Sequence, residues 1–188
     1  MKYAPIEIRC PHCGQRAEFH EPFEFVSRPE DLHDREFHRW GGWKVIELFP
    51  SVYPWKAPKT STQFLRSGGG KGGGYPVLHQ GMLLCPGCHQ NGKHTLAWPG
   101  DAYWSWDIRG ALLWARDIGH ARRILEYIGG INRFRPASRD LRHIPKEFLA
   151  AKVRELVVKR ITASFTAIGE DPARAEKKNA AQAGAPDP

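Results

Sequence analysis

No apolar run in this chain approaches the length that spans a bilayer. The opening stretch, "MKYAPIEIRC", lacks the long apolar core of a secretory signal, so a cytoplasmic protein with no membrane partner is expected. Catalytic signatures are equally scarce. No serine stands in a nucleophile elbow, and no helix carries HExxH. The glycine run "SGGGKGGGY" (67–75) holds a lysine, but a phosphate loop needs Ser or Thr after that lysine and Gly72 stands there. Without an apolar strand before it or a helix pattern after it, the run reads as a flexible loop. Cysteine is sparse too, with four among 188 residues. In a reducing compartment so few thiols serve as metal ligands or catalytic groups rather than as disulfides.

What is present begins with those four cysteines. They fall into two matched pairs, Cys10/Cys13 in "CPHC" and Cys85/Cys88 in "CPGC". Cys-Pro-x-Cys makes a tight turn whose two sulfurs face one point, and two such turns supply the four sulfurs of a closed tetrahedral site. Gly14 follows the first pair, where a knuckle needs tolerance of positive φ. Apolar residues lead into both turns, "IEIR" before Cys10 and "GMLL" before Cys85.

Three other chemistries use similar motifs. A thioredoxin-like pair needs its cysteines at a helix start, whereas "GQRAEFHEPFEF" alternates and contains Pro22. "CPGCH" matches a c-type haem attachment site, but that reading leaves Cys10 and Cys13 without a role. Rubredoxin-like iron would use the same four sulfurs and stays open beside zinc.

Residues 8–15 and 83–90 resemble the two knuckles of a zinc ribbon. The resemblance implies one structural Zn2+ held by Cys10, Cys13, Cys85 and Cys88 on a small antiparallel sheet. Zinc ribbons occur in transcription factors, polymerase subunits, ribosomal proteins, DNA-binding proteins of phages and transposons, and protein-docking modules. This chain departs from the compact pattern: 71 residues separate the pairs, where 15–20 are usual. Closing that loop costs about 4 kcal/mol beyond a constant. Zinc binding to thiolates is worth about 10–16 kcal/mol, so the metal can act as a clasp across a long insertion. His12, His20, His89 and His94 are conceivable substitutes, but four sulfurs complete the shell.

The expected fold class is α+β: a small antiparallel zinc-ribbon-like sheet with a long insertion between the knuckles, then two C-terminal helices. Residues 1–110 would form the zinc-clasped β-rich domain, 111–169 a basic helical region, and 170–188 a polar, Ala/Pro-rich disordered tail. Strands are expected at 16–26 and 42–50. "KHTLAWPGDAYWSWDIRG" should continue the same sheet, with Ala102, Trp104, Trp106 and Ile108 on one face. Most of the seven tryptophans are expected in the core. The first helix reads as 116–130, with Asp117 as N-cap and Gly129–Gly130 as stop. The second reads as a continuous helix over 145–169. Its apolar stripe runs through Leu149, Val153, Leu156, Ile161, Phe165 and Ile168, and needs the first helix, the sheet or a second subunit to cover it.

Charge is uneven. The net charge is +8; residues 1–108 carry 12 Lys/Arg against 11 Asp/Glu, and residues 109–178 carry 16 against 8. A one-sided positive field points to a polyanion, nucleic acid first. The expected function is non-enzymatic nucleic-acid binding through the basic C-terminal half, with Arg122, Arg123, Arg133, Arg135, Arg139, Arg142, Lys152 and Lys159 on phosphates. The alternative is a protein-binding adaptor or small subunit using the aromatic sheet and the apolar stripe, including homodimerisation through 145–169. A distant alternative rests on "LRHIPKEF", which resembles the histidine–proline element of HNH nucleases. Arg142 precedes His143 there, and no matched second histidine or asparagine follows, so no catalytic residue is assigned.

Overall fold

The computed structural model describes residues 5–26, 35–57, 80–130, 140–141 and 144–171. They form an α+β protein of small antiparallel sheets and two C-terminal helices. They divide into two compact units, one ending at Asp101 and the other beginning at Ala102.

The first unit holds seven strands: β1 (Ile6–Arg9), β2 (Arg16–His20), β3 (Phe23–Val26), β4 (His38–Trp40), β5 (Trp43–Glu47), β6 (Gln80–Leu84) and β7 (Asn91–Thr95). They make two sheets, β1-β2-β6-β7 and β3-β5-β4, antiparallel throughout. The stretch 16–26, expected as one strand, is cut at Glu21–Pro22, and its halves enter different sheets. Proline has no N–H for a ladder, so the chain leaves the first sheet there. The Pro22 carbonyl instead accepts from Leu48 N–H at 2.9 Å.

The four-stranded sheet is two copies of one hairpin. Shifting residue numbers by 75 maps the pair Ile6↔Phe19 onto Gly81↔His94, and Arg9↔Arg16 onto Leu84↔Asn91. The copies join through β2 and β6, with Phe19 opposite Leu83. Ile8, Ala17, Phe19, Leu83 and Leu96 bury one face together with Cys10 and Cys85. At this seam a side chain on Gly81 has no room: its Cβ would lie 2.2 Å from the His20 carbonyl oxygen and 2.7 Å from the Phe19 ring.

The second unit starts with a hairpin, β8 (Trp104–Ile108) and β9 (Ala111–Ala115). The expected alternation holds, with Ala102, Trp104, Trp106 and Ile108 all buried. The expected sheet does not: β8 pairs with β9 in a separate two-stranded sheet. Arg109 (φ 56°) and Gly110 (φ 84°) are both left-handed, the conformation that lets two residues reverse a twisted ribbon. Gly110 N–H donates to Asp107 Oδ1 at 2.8 Å. The division expected after residue 110 would therefore fall inside this turn.

Helix α1 (Ile118–Gly129) has the caps its sequence announces. Asp117 accepts from His120 N–H at 2.7 Å, and Gly130 N–H closes on the Glu126 carbonyl at 2.9 Å. The second helix is shorter than expected. A 3₁₀ turn (Lys146–Leu149) leads to an extended Ala150, and only then does α2 (Ala151–Ala167) begin. Packing explains the break. The buried stripe of α2 is Val157, Ile161 and Phe165. On one unbroken helix Phe148 would point about 140° away from the centre of that stripe. The kink at Ala150 brings Phe148 into the same core, where it is 1% exposed.

That core also takes Trp104, Trp106, Ile108 and Leu113 from the hairpin and Ala121, Ile124 and Ile128 from α1. Trp106 Nε1 donates to Ser164 Oγ at 2.9 Å, so the buried indole keeps its hydrogen bond. The apolar stripe is thus covered by the hairpin and the first helix of its own unit. No helix among the described residues is long and apolar enough to cross a membrane.

Candidate metal centre

Cys10-Pro11-His12-Cys13-Gly14-Gln15 and Cys85-Pro86-Gly87-Cys88-His89-Gln90 close the two equivalent hairpins. In each, the N–H of the first cysteine donates to the glutamine carbonyl, at 2.8 Å for Cys10 to Gln15 and 2.9 Å for Cys85 to Gln90. In each, the residue after the second cysteine is left-handed: Gly14 at φ 74° and His89 at φ 60°. The same loop is therefore built from a glycine in one copy and a histidine in the other.

This asymmetry carries a prediction. Gly14→Ala should lower the urea midpoint of the metal-loaded protein, by about 1 kcal/mol, since nothing but backbone conformation opposes the new methyl. His89→Gly should shift it the other way, by about 0.5 kcal/mol, as left-handed strain is relieved against greater freedom of the unfolded chain. Two shifts of the same sign would contradict the equivalence of the loops.

The loops bring all four sulfurs within 4.8 Å of one another. Cys10 Sγ lies 3.7 Å from Cys88 Sγ, and Cys13 Sγ lies 3.6 Å from Cys85 Sγ. A disulfide requires about 2.0 Å. Four thiolates in a tetrahedron at about 2.3 Å from a central ion stand about 3.8 Å apart, which the two short distances match. Cys10 and Cys85 are 1% and 2% exposed, whereas Cys13 is exposed and Cys88 half-buried, so one edge of the cluster meets solvent.

Without a cation the four sulfurs cannot all ionise. The amide of Cys88 heads the groups that bring Cys85 down to about 7. Against the pull of burial, the amides of Cys13 and His12 hold Cys10 below its ordinary value. The Gln15 amide works to lower Cys13, but desolvation and the sulfurs of Cys85 and Cys10 raise it. The Gln90 amide likewise opposes the rise at Cys88, which desolvation and the three neighbouring sulfurs push up to about 12. A cation at the centre removes this conflict, which is what a metal-ligating thiol set needs.

Among the described residues, these four cysteines are the one metal-competent cluster of His, Cys, Asp and Glu. His20 bonds Glu18 at 2.9 Å and His94 bonds Asp101 at 3.0 Å, so both imidazoles are engaged outside the cluster.

The basic residues singled out in the sequence fare differently. Arg122 donates to Glu170 at 2.7 Å and lies over the Phe165 ring at 5.4 Å, with its side chain only 16% exposed. Arg123 grips Asp140 through Nε and Nη2, at 3.2 and 2.6 Å. Lys152 and Lys159 are exposed, on the side of α2 away from Val157, Ile161 and Phe165. Arg133, Arg135, Arg139, Arg142 and His143 lie outside the described residues, as do the glycine run 67–75 and the tail from 172. Glu170, counted with that tail by sequence, closes α2 by donating its N–H to the Phe165 carbonyl at 3.0 Å.

Sequence reasoning did not single out Val157 or His120, both buried in the second unit. An i, i+4 count back from Ile161 would have found Val157; no local signal marks His120. Compared with known proteins, the chain matches no family model, no curated protein and no solved structure.

Proposed function

We propose that the chain is a zinc-stabilised, non-enzymatic protein that binds nucleic acid through its basic C-terminal half. The zinc assignment is carried by the near-tetrahedral spacing of four sulfurs on two equivalent hairpins. Cys10, Cys13, Cys85 and Cys88 would hold the ion, which joins two hairpins 75 residues apart and supplies no reaction.

The nucleic-acid reading rests on where the charge falls. The described residues of the second unit are close to balance, with nine Lys/Arg against eight Asp/Glu. Residues 131–143 hold Arg133, Arg135, Arg139 and Arg142 against Asp140 alone. Arg122 and Arg123 are held in ion pairs, so they serve the fold first. The phosphate-binding set is therefore proposed to centre on Arg133, Arg135, Arg139 and Arg142, with the exposed Lys152 and Lys159 as further members.

A salt series with labelled single- and double-stranded DNA and RNA tests this. Arg133→Glu with Arg135→Glu should weaken binding to every sequence and reduce the slope of log K against log salt by about 0.9 per lost contact on duplex DNA. Arg122→Glu should instead cost stability. Weak binding with no salt dependence would discard the reading in favour of the adaptor. That rival has less of the helix stripe available, because its centre is buried, and relies on the aromatics of β3-β5-β4, where Trp40 and Trp55 are half-buried around Phe25.

A further inference from the structure

The hairpin of the second unit is answered on one edge and open on the other. Its two-residue loop makes Ile108↔Ala111 a hydrogen-bonded pair, and bonded and non-bonded pairs alternate from there. Asp107 and Leu112 therefore stand opposite without bonding, and each turns its backbone N–H and C=O away from the other strand. On the β8 side α2 meets them: Arg160 Nη1 donates to the Asp107 carbonyl at 2.6 Å. On the β9 side, nothing among the described residues bonds the Leu112 N–H or C=O. The open stretch has defined ends. Gly110 N–H goes to Asp107 Oδ1 at 2.8 Å, and Arg116 N–H goes to His120 Nδ1 at 3.2 Å. Between them, β9 pairs with no strand but β8 among the described residues.

The sequence of this edge is unprotected. "ALLWA" (111–115) carries no charge and no proline, the devices that keep strand edges from pairing. By contrast β7, at an edge of the four-stranded sheet, reads "NGKHT". Leu112 is 46% exposed, in the middle of its strand.

A half-open groove of about 470 Å³ lies against β9. Leu112, Leu113 and Trp114 line it in succession, while α1 supplies Ile124 and the segment before the 3₁₀ turn supplies Ile144. Arg116 and Asp140 also line it, but each is already paired, Arg116 with Asp117 at 3.2 Å and Asp140 with Arg123 at 2.6 Å. The groove is thus mainly apolar and its charges cancel.

A second copy of this chain does not suit it. Another β9 laid on this edge would offer Ala111, Leu113 and Ala115 on the face of Leu113, and these already pack into their own core, Leu113 at 3% and Ala115 at 0% exposure. A segment with no core of its own has its alternate side chains free to enter the groove while its backbone bonds Leu112.

We infer that the β9 edge docks an extended, uncharged segment of a partner protein, which adds a third strand to the hairpin and seats apolar side chains from alternate positions in the groove. The edge is separate from the cysteine cluster and uses none of the residues proposed for phosphate, so it stands whether or not the chain binds nucleic acid.

The test uses the full-length, metal-loaded protein and a fluorescent, end-blocked peptide, Ser-Leu-Thr-Leu-Thr-Leu-Ser, followed by anisotropy. The peptide should saturate, and replacing its leucines with serine should abolish binding. Backbone N-methylation separates strand addition from simple apolar adhesion, because successive N–H groups of a strand point to opposite sides. Methyls on one alternate set, all the Leu or all the Thr nitrogens, should weaken binding about tenfold or more, and methyls on the other set by less than about threefold. Leu112→Pro removes the outward N–H where an edge strand tolerates proline, and should abolish binding while the circular dichroism spectrum stays that of the parent. If that variant does not fold, Leu112→Lys, which places a charge on the edge, should lose binding instead. Equal losses from the two methylated sets would overturn the inference, as would no saturable binding at millimolar concentrations. A peptide-free dimer that Leu112→Pro dissociates would overturn it too, and give the edge to a second copy.

Discussion

Removing the metal, by chelation or by Cys88→Ser, is expected to unfold the unit that ends at Asp101. The reason is one of scale. Thiolate zinc sites contribute about 10–16 kcal/mol to folding, and whole domains are stable by about 5–15 kcal/mol. The metal term is thus as large as the net stability it supports. The insertion sharpens the effect, because closing the 71 residues between the two cysteine pairs, whose hairpins share the β2–β6 seam, costs loop entropy. Serine at position 88 leaves three thiolates around a poor fourth donor. Far-ultraviolet circular dichroism and thermal melting, with metal content measured in parallel, check the outcome. A Cys88→Ser protein that melts like its parent would end the structural assignment. Zinc rather than iron predicts a colourless protein with one equivalent of zinc, and a reddish thiolate–iron spectrum would decide the other way.

The same centre should release metal as the solution is acidified. Even with the site folded, Cys88 is pushed up to about 12 and Cys13 above its ordinary value, so both hold protons at neutral pH, and in an unfolded metal-free unit all four thiols do. Metal uptake must therefore expel at least two protons. Lower pH favours the metal-free form, and the apparent dissociation constant should rise by at least about a hundredfold for each pH unit of acidification near neutrality.

Phe165→Ala is expected to cost about 3–5 kcal/mol, with the loss confined to the transition of the second unit. Phe165 is wholly buried on α2 and lies 5.1 Å from Trp104, ring centre to ring centre. It also carries the Arg122 guanidinium at 5.4 Å. Truncation opens a cavity among side chains contributed by the hairpin, α1 and α2, and leaves Arg122 with Glu170 but without its aromatic floor. Phe165→Leu keeps most of the volume and should cost about 1–2 kcal/mol. Urea unfolding followed by tryptophan fluorescence measures both. A cost below about 1 kcal/mol for the alanine variant would mean that the site collapses freely, contrary to a core closed from three sides.

Sequence and structure agree where chemistry acts over a few residues. Cys-Pro-x-Cys turns its own two sulfurs inward, so the clustering of the four cysteines was legible in the chain. Asp117 caps the helix that follows it, and Gly130 ends that helix, because both bonds form within four residues. The alternation of Ala102, Trp104, Trp106 and Ile108 named the buried face of β8 from the pleat alone.

The partners of those elements were not legible. β8 could have extended the first sheet on its pattern, and only the left-handed Arg109–Gly110 turn returns it to β9. The helix expected over 145–169 has no proline or glycine at its break. Ala150 is extended because Phe148 reaches the core only if the helix stops there. Arg122 and Arg123 look in sequence like any other surface cations, yet Glu170 lies 48 residues and Asp140 17 residues further along the chain. Residue type and short spacing decide what a segment can do locally: ligate, cap, alternate. Which segment it meets depends on distant side chains competing for the same apolar space and the same counter-charges, and that competition is resolved only in the folded protein.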